Sequence, residues 1–251
     1  MARQPLSILF PLILLPACTH VVFVTSSDGT ESEGDSETGS GTGSSGNQEL
    51  DPEPYQEQGG VCGDGRVGPG EECDNRSFRC HDCLYSRIVF LSSIPLSGNV
   101  GPDAEKNLRI ADNLCQTLAV QGGLALAQSG RVFRAWLSTS QVAAGSRLTL
   151  GEGPYFLPTG EIVLRSGVDI LGGNIEHPIN VSEQGEPGIE TFVWTGTMAE
   201  GGSHVSTCSG WTSSKVQGSV GGSWREDQGW IQVDLASCQS VLPIYCFEVL
   251  S

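Results

Sequence analysis

Basic residues are scarce in this chain of 251 residues. The sequence holds 13 lysines and arginines against 29 aspartates and glutamates, which gives a formal net charge of −16 at neutral pH. Such a chain repels nucleic-acid phosphates and anionic lipid headgroups. A function that depends on a broad basic surface is therefore excluded, and we expect no nucleic-acid partner.

Histidines are also few, and the strings that carry common catalytic chemistry are missing. Four histidines are present, and there is no G-x-S-x-G elbow, no HExxH string and no phosphate-binding P-loop. Adjacent acids such as Glu226 and Asp227 are the kind of pair that a glycosidase uses, although such acids in a polar loop are usually only solvated. We therefore expect no enzyme, with an unrecognised hydrolase as the alternative.

A long apolar run is the third absence. The apolar stretch near the N-terminus, residues 8–15, is much shorter than the roughly 20 residues that a membrane-spanning helix needs. It has the length of the apolar region of a secretory signal peptide. The stretch ends in Leu15-Pro16-Ala17-Cys18, a string that resembles the bacterial lipobox.

The lipobox resemblance implies a lipoprotein. Residues 1–17 would be the signal peptide, and cleavage before Cys18 would leave that cysteine carrying the lipid that anchors the chain in a membrane. Thr19 follows it, instead of the Asp that resembles an inner-membrane retention signal in enteric bacteria. We therefore expect the outer membrane or the cell surface. An ordinary signal peptide that is cleaved further along is the alternative.

Apolar residues are nearly absent between positions 26 and 60. This Gly/Ser-rich segment holds nine acidic residues and no basic one. It cannot bury enough apolar surface to offset the entropy cost of ordering the chain. We expect residues 18–60 to form a disordered acidic tether that holds the folded part away from the membrane.

The nine cysteines indicate an exported protein in an oxidising compartment. Their number is odd, and setting Cys18 aside leaves eight, enough for four disulfide bridges. Four of them lie within residues 61–85, namely Cys62, Cys73, Cys80 and Cys83. So short a segment cannot build a core, so we expect bridges, in an order that the spacing leaves open. Zinc held by Cys80 and Cys83, beside His81, is the alternative.

The string CGDG…GEECD in this module resembles a short cysteine-rich repeat common in myxobacterial surface proteins. The resemblance covers residues 62–74 and stops where Asn75-Arg76 replaces the usual Asp-Gly. Clustered carboxylates at turns are ligands that calcium favours, which makes Asp64, Glu71 and Asp74 a candidate calcium site. The alternative is that the aspartates cap turns while the glutamates face water.

Residues 86–251 combine one helix with several short strands. Proline and acids at 102–105, apolar residues at helical spacing and Gly122-Gly123 at the end predict a helix. Its expected buried face is Leu108, Ala111, Leu114, Cys115, Leu118 and Ala119. The predicted strands are residues 87–92, 132–137, 162–165, 191–195, 230–235 and 241–249. This order indicates an α+β domain.

The four cysteines of this domain, at positions 115, 208, 238 and 246, allow three pairings. A nested pairing would tie the predicted helix to the last strand and would separately staple the loop before that strand. The spacing alone leaves all three pairings open.

Five strings in this domain resemble endostatin, in the same order along the chain. They are Phe133-Arg134-Ala135-Trp136-Leu137-Ser138, Val193-Trp194-Thr195-Gly196, Cys208-x-x-Trp211, Ser237-Cys238 and Ile244-Tyr245-Cys246-Phe247-Glu248. Residues 87–250 are even more similar to a bacterial relative of endostatin, a domain of unknown function in spirochaete and myxobacterial lipoproteins. Both belong with the C-type-lectin-like fold. The resemblance implies the nested bridges Cys115–Cys246 and Cys208–Cys238.

Three activities of these relatives lack their residues here. The calcium-dependent sugar strings of C-type lectins are missing, since Glu186-Pro187-Gly188 lacks the amide or acid at its third position. The arginine clusters through which endostatin binds heparin are absent, and so is the N-terminal histidine group of its zinc site. The resemblance therefore implies a fold rather than an activity.

The five tryptophans divide into expected core residues and one expected binding residue. Trp136, Trp194 and Trp211 fall in strand or core positions of the family, and Trp230 is also expected to be buried, at the start of a strand. The expected ligand-binding residues are Trp224, Arg225, Glu226 and Asp227, in the loop region with which lectin-like folds bind ligands. We expect non-catalytic binding of a glycan or of an envelope or matrix protein. A structural envelope component without a diffusible ligand is the alternative.

Overall fold

A computed structural model describes residues 60–74, 79–125 and 130–250 of the chain. The predicted signal peptide, Cys18 and the predicted tether up to residue 59 lie outside the described residues. The described residues belong to one compact unit. Within them, no helix has both the length and the apolar character that crossing a membrane requires.

The secondary structure is mixed, with more strands than helices. The strands are β1 Cys80–His81, β2 Leu84–Tyr85, β3 Arg87–Leu91, β4 Leu96–Ser97, β5 Val132–Ala135, β6 Tyr155–Phe156, β7 Ile162–Leu164, β8 Phe192–Trp194, β9 Gln217–Gly222, β10 Asp234–Ser237, β11 Val241–Leu242 and β12 Tyr245–Val249. The helices are α1 Ala104–Gln121, α2 Ala144–Arg147 and α3 Cys208–Trp211, and two 3₁₀ turns span Gly167–Gly172 and Gln228–Trp230. The predicted α+β class is confirmed.

The last strand, β12, is at the centre of the main sheet, whose order is β5-β12-β3-β6-β7. It runs antiparallel to β5 and β3, while β3 and β6 are parallel. All five residues of β12 are buried. Successive side chains alternate between two apolar clusters, with Phe247 in one and Cys246 in the other. This alternation is the period of a strand that is covered on both faces.

The long helix α1 follows the sequence pattern closely. Asp103 is its N-cap, and the Asp103 carboxylate accepts a hydrogen bond from the Lys106 backbone N–H. The helix ends at Gln121, before Gly122-Gly123, as predicted. One position of the expected buried face differs, because Leu114 is only half-buried while Asn107 is buried.

The structure has the nested pairing of the four domain cysteines. Cys115 of α1 is bridged to Cys246 of β12, and Cys208 is bridged to Cys238. These bridges join residues separated by 131 and 30 positions. In the loop-entropy model such separations correspond to a stabilisation of about 5 and about 3.6 kcal/mol. The outer bridge thus links the one long helix to the central strand.

Helix α3 is a turn of left-handed backbone. Positive φ angles of 52°, 55°, 73° and 64° occur at Cys208, Ser209, Gly210 and Trp211. Residues other than glycine rarely adopt this conformation. The buried Trp211 indole donates to the Ser138 carbonyl at 2.8 Å, and the Asn107 amide of α1 donates to the Trp211 carbonyl at 2.9 Å. Burial, these two bonds and the bridge to Cys238 hold the turn in place.

Two strand predictions are wrong in part. Trp230 lies in a 3₁₀ turn rather than in a strand, because the Asp227 carboxylate caps that turn, and the strand begins at Asp234. The predicted strand at 241–249 is divided into β11 and β12 by the intervening Pro243-Ile244. Proline cannot donate a hydrogen bond to a strand ladder, which explains the break.

Strand β9 was missed because its sequence, QGSVGG, is rich in glycine. It is the middle strand of a second sheet, β10-β9-β8. The backbone of this strand lies directly against its neighbours. A Cβ atom on Gly221 would come within 1.7 Å of the Trp230 carbonyl oxygen, so no larger residue fits there. Tertiary packing, rather than strand propensity, selects glycine here.

Candidate functional site

Trp224 and Phe192 form an exposed aromatic pair at the end of the second sheet. Trp224 is 37% exposed and Phe192 is 39% exposed. Their ring centroids are 5.4 Å apart in an edge-to-face arrangement. Aromatic rings at this distance stabilise one another, so the pair presents a defined apolar surface, which we call the aromatic platform.

Backbone geometry beneath the platform positions the Trp224 ring. Phe192 of β8 is directly opposite Gly222 of β9, and the Trp224 ring covers that glycine. A Cβ atom on Gly222 would be 2.9 Å from the Trp224 ring, closer than ordinary packing allows. The absence of a side chain at Gly222 is therefore what lets the indole lie flat against the strand and beside Phe192.

The turn that carries Trp224 is held by its preceding residue. The Ser223 hydroxyl donates to the Ile189 carbonyl at 2.6 Å and accepts from the Thr191 N–H at 2.9 Å. The Ser223 N–H donates to the Thr191 carbonyl at 3.0 Å. Because Ser223 is fully buried, these bonds fix the start of the turn against the segment that leads into β8.

Arg225 and Asp227 form a two-pronged ion pair beside the platform. Arg225 Nε is 2.8 Å from one Asp227 carboxylate oxygen, and a terminal guanidinium nitrogen donates to the other. The hydrogen bond from Arg225 lowers the pKa of Asp227 below its usual value of 3.8, and the Asp227 carboxylate raises the pKa of Arg225. Both groups are therefore charged at neutral pH, and each orients the other at the rim.

The four predicted ligand-binding residues are adjacent in the structure, but they do different things. Asp227 also accepts from the Gly229 N–H at 3.1 Å and so caps the 3₁₀ turn. The Glu226 carbonyl accepts from the Ile175 N–H at 2.7 Å, while Glu226 itself is exposed. Trp224 supplies apolar surface, and the other residues supply a polar, charged rim around it.

The other four tryptophans are core residues, as predicted. Trp136, Trp194, Trp211 and Trp230 are each at most 1% exposed. The Trp230 indole donates to the Gly173 carbonyl at 3.1 Å and packs edge-to-face on Tyr245. Trp230 thereby joins the loop that carries the platform to the main core.

Sequence reasoning missed Phe192. It is two positions before the buried Trp194 in β8, so its side chain is on the same face of the strand, but it lies beyond the end of the core. The pairing of Phe192 with a glycine, and the neighbouring Trp224, become visible only in the folded chain. The only signal in the sequence was the alternation of side chains in TFVWT (residues 191–195), which puts Phe192 and Trp194 on the same face of a strand.

The four cysteines of the small module are paired as Cys62–Cys83 and Cys73–Cys80. Each pair closes its own bridge, so none of these four sulfurs is a free thiolate, the form in which cysteine binds zinc. The spacing had left this order open. It is nested, like the pairing in the larger domain.

The candidate calcium residues are only partly together. Carboxylate oxygens of Glu71 and Asp74 lie within 4.8 Å of each other and of the disulfide-bonded Cys83 sulfur, in a group that does not include Asp64. Asp74 accepts from the Gly63 N–H at 2.7 Å and Glu71 from the Gly68 N–H at 2.7 Å. Calcium binding here stays a prediction, and the carboxylates of Glu71 and Asp74 have backbone partners of their own.

The described histidines have separate surroundings. His177 is 3.0 Å from the Ile162 carbonyl, His204 accepts from the Ser206 N–H at 2.8 Å, and the His81 ring is 5.9 Å from the Phe156 ring. The described residues thus make up a disulfide-bridged α+β protein with an exposed aromatic platform. The chain matches no family model and no curated protein.

Proposed function

We propose that this chain is a lipid-anchored surface protein whose larger domain binds a glycan, without catalysis, on the aromatic platform. The observation that carries the proposal is the exposed Trp224–Phe192 pair, held over Gly222 beside the Arg225–Asp227 ion pair. A sugar ring offers apolar C–H groups to an aromatic face and hydroxyls to charged neighbours. The platform and its rim supply both kinds of contact side by side, from the turn that carries Trp224 and from Phe192 of β8.

The fold proposed for this domain is the C-type-lectin-like fold in its endostatin-like form. The ordered strings named above support this proposal, together with the nested bridges that the resemblance implies. Trp224 and its charged rim are on the segment between Cys208 and Cys238, the part of the chain with which lectin-like folds bind ligands. Phe192 of β8 completes the platform from outside that segment. The lipobox and the acidic tether support display of this domain at the outer membrane or the cell surface.

A glycan array probed with the full chain, solubilised in detergent, tests the binding proposal. We expect a saccharide signal whose affinity falls about tenfold or more in Trp224→Ala, because the main stacking surface is lost. Trp224→Phe should retain part of the affinity, since an aromatic ring remains. Leu235→Ala is the matched control, because Leu235 is similarly exposed, at 38%, but is outside the platform.

Two results would count against the proposal. Silence across the array would favour a protein partner or the structural envelope component. A saccharide signal unchanged in Trp224→Ala would place binding elsewhere on the chain.

A further inference from the structure

A concave site, separate from the aromatic platform, lies where the small module meets the larger domain. It has a volume of about 360 Å³. We call it the junction cleft. The residues that line it include Arg79, His81, Ser86, Ile88, Arg131 and Phe156. Arg79 and His81 come from the module, while the other residues come from the strands and loops of the larger domain. Pockets of this size, mainly apolar with a few polar groups, are typical of small-molecule sites.

The charge of the junction cleft is opposite in sign to the net charge of the whole chain. Two arginines line it, and no carboxylate does among the residues that the structure describes. Glu248, the one carboxylate that pairs with both arginines among the described residues, lines the neighbouring hollow and is 5% exposed. In a protein with a formal net charge of −16, this local excess of positive charge favours an anionic ligand.

Arg79 is the more weakly held of these two arginines. Its guanidinium is 3.4 Å from Glu248, which is a long contact. Glu248 is already engaged by Arg131, with one nitrogen–oxygen distance of 2.7 Å and a second bond, and by the Ile88 N–H at 3.0 Å. Arg79 can therefore turn toward a ligand while Glu248 keeps its other partners.

Ser86 supplies the second polar group. It is 7% exposed, and its hydroxyl oxygen has no hydrogen-bond partner among the described residues. A buried hydroxyl without a partner is unfavourable, and rotation of the Ser86 side chain toward the cleft would let it donate to a ligand acceptor atom. A carboxylate has two acceptor oxygens, enough to receive bonds from both the serine and a guanidinium.

The rest of the junction cleft is apolar. The Phe156 ring, with the His81 ring 5.9 Å from it, forms one wall, and Ile88 contributes to another. The apolar part of a ligand, next to its carboxylate, would bury its surface against these walls. We propose that the junction cleft binds a small organic carboxylate with an apolar, ring-sized body.

Calorimetric titration of the full chain in detergent, with 3-phenylpropionate as the probe, tests this proposal. We expect saturable binding with a Kd of about 1 mM or tighter, and much weaker binding of the neutral amide, 3-phenylpropanamide. Arg79→Gln should weaken binding of the carboxylate about tenfold, and Ser86→Ala about threefold or more, because each removes a hydrogen bond to the charged group.

The matched control is Arg109→Gln, since Arg109 is an exposed arginine in an ion pair with Glu105 on α1 and is not among the residues that line the cleft. It should bind the carboxylate like the wild type, and so should Trp224→Ala, which separates this site from the aromatic platform. Equal binding of acid and amide, no saturable heat, or unchanged binding in both Arg79→Gln and Ser86→Ala would overturn the proposal. So would a loss of binding in Trp224→Ala.

Discussion

Two fully buried tyrosines, Tyr155 and Tyr245, lie in the same apolar cluster but differ in their hydrogen bonding. The Tyr155 hydroxyl donates to the Glu248 carbonyl at 2.8 Å and accepts from the Gly151 N–H at 3.3 Å. The Tyr245 hydroxyl has no hydrogen-bond partner among the described residues. Burial raises the pKa of both phenols, so both are neutral at physiological pH.

Removing the two hydroxyls should therefore have different effects. We expect Tyr155→Phe to lower the free energy of unfolding by about 1–2 kcal/mol, because it leaves a buried carbonyl and N–H without this partner. Tyr245→Phe should leave the stability unchanged or raise it by up to about 1 kcal/mol, since it removes a polar group that gains no bond on burial. Urea denaturation of both variants measures the difference, and equal losses would contradict it.

Secondary-structure elements differ in how far local sequence accounts for them. Helix α1 has a cap, a periodic apolar face and a glycine stop, all of which can be identified along the chain. The left-handed turn Cys208–Trp211 has a local cap, since the Thr207 hydroxyl accepts from the Gly210 N–H, but it has no periodic apolar face that would predict it. It is held by a disulfide, by burial of Trp211 and by an amide from α1, and these contacts come from distant parts of the chain.

We predict that the stability contributed by the Asp103 cap of α1 depends on pH. The hydrogen bond from the Lys106 N–H lowers the pKa of Asp103 below 3.8, so the ionised carboxylate stabilises the helix above that pH. This contribution is lost as the pH falls through the lowered pKa. We expect Asp103→Ala to reduce Tm by a few degrees at neutral pH, and by less in acid.

Thermal melts of Asp103→Ala at about pH 7 and about pH 2 measure this change. Asp103→Asn serves as the control, because it keeps a capping oxygen but does not titrate. Its Tm at neutral pH should lie between those of the wild type and Asp103→Ala. An alanine effect of the same size at both pH values would show that the ionised cap is not its source.

At the scale of the whole molecule, the small module is bound to the larger domain by charged contacts. Glu72 of the module accepts a hydrogen bond from Arg87 at 2.8 Å, and Arg79 of the module is 3.4 Å from Glu248 of the larger domain. The Arg87 side chain is only 5% exposed, so this pair is shielded from water on the arginine side. Glu72 and Arg87 both line the hollow next to the junction cleft.

The proposed lipid anchor predicts where the whole chain is found in a cell. In detergent phase partitioning of bacterial extracts, the wild-type chain should enter the detergent phase, because acyl chains transfer favourably out of water. Cys18→Ser should move to the aqueous phase. His20→Ser, a change two positions along, should partition like the wild type. Retention of Cys18→Ser in the detergent phase would show that Cys18 does not carry the anchor.

The burial of Trp136, Trp194 and Trp211 was predicted from the resemblance to endostatin. Local sequence was enough to predict α1, the α+β class and, in whole or in part, the strands β3, β5, β7, β8, β10, β11 and β12, because periodicity, caps and turn residues act between near neighbours. It could not predict β9, since Gly221 is there to let the Trp230 carbonyl approach. Nor could it place Phe192 beside Trp224, or Arg79 and Arg131 around the unpartnered Ser86 hydroxyl. Those juxtapositions join residues far apart in the chain, and only the tertiary packing of strands, loops and module brings them together.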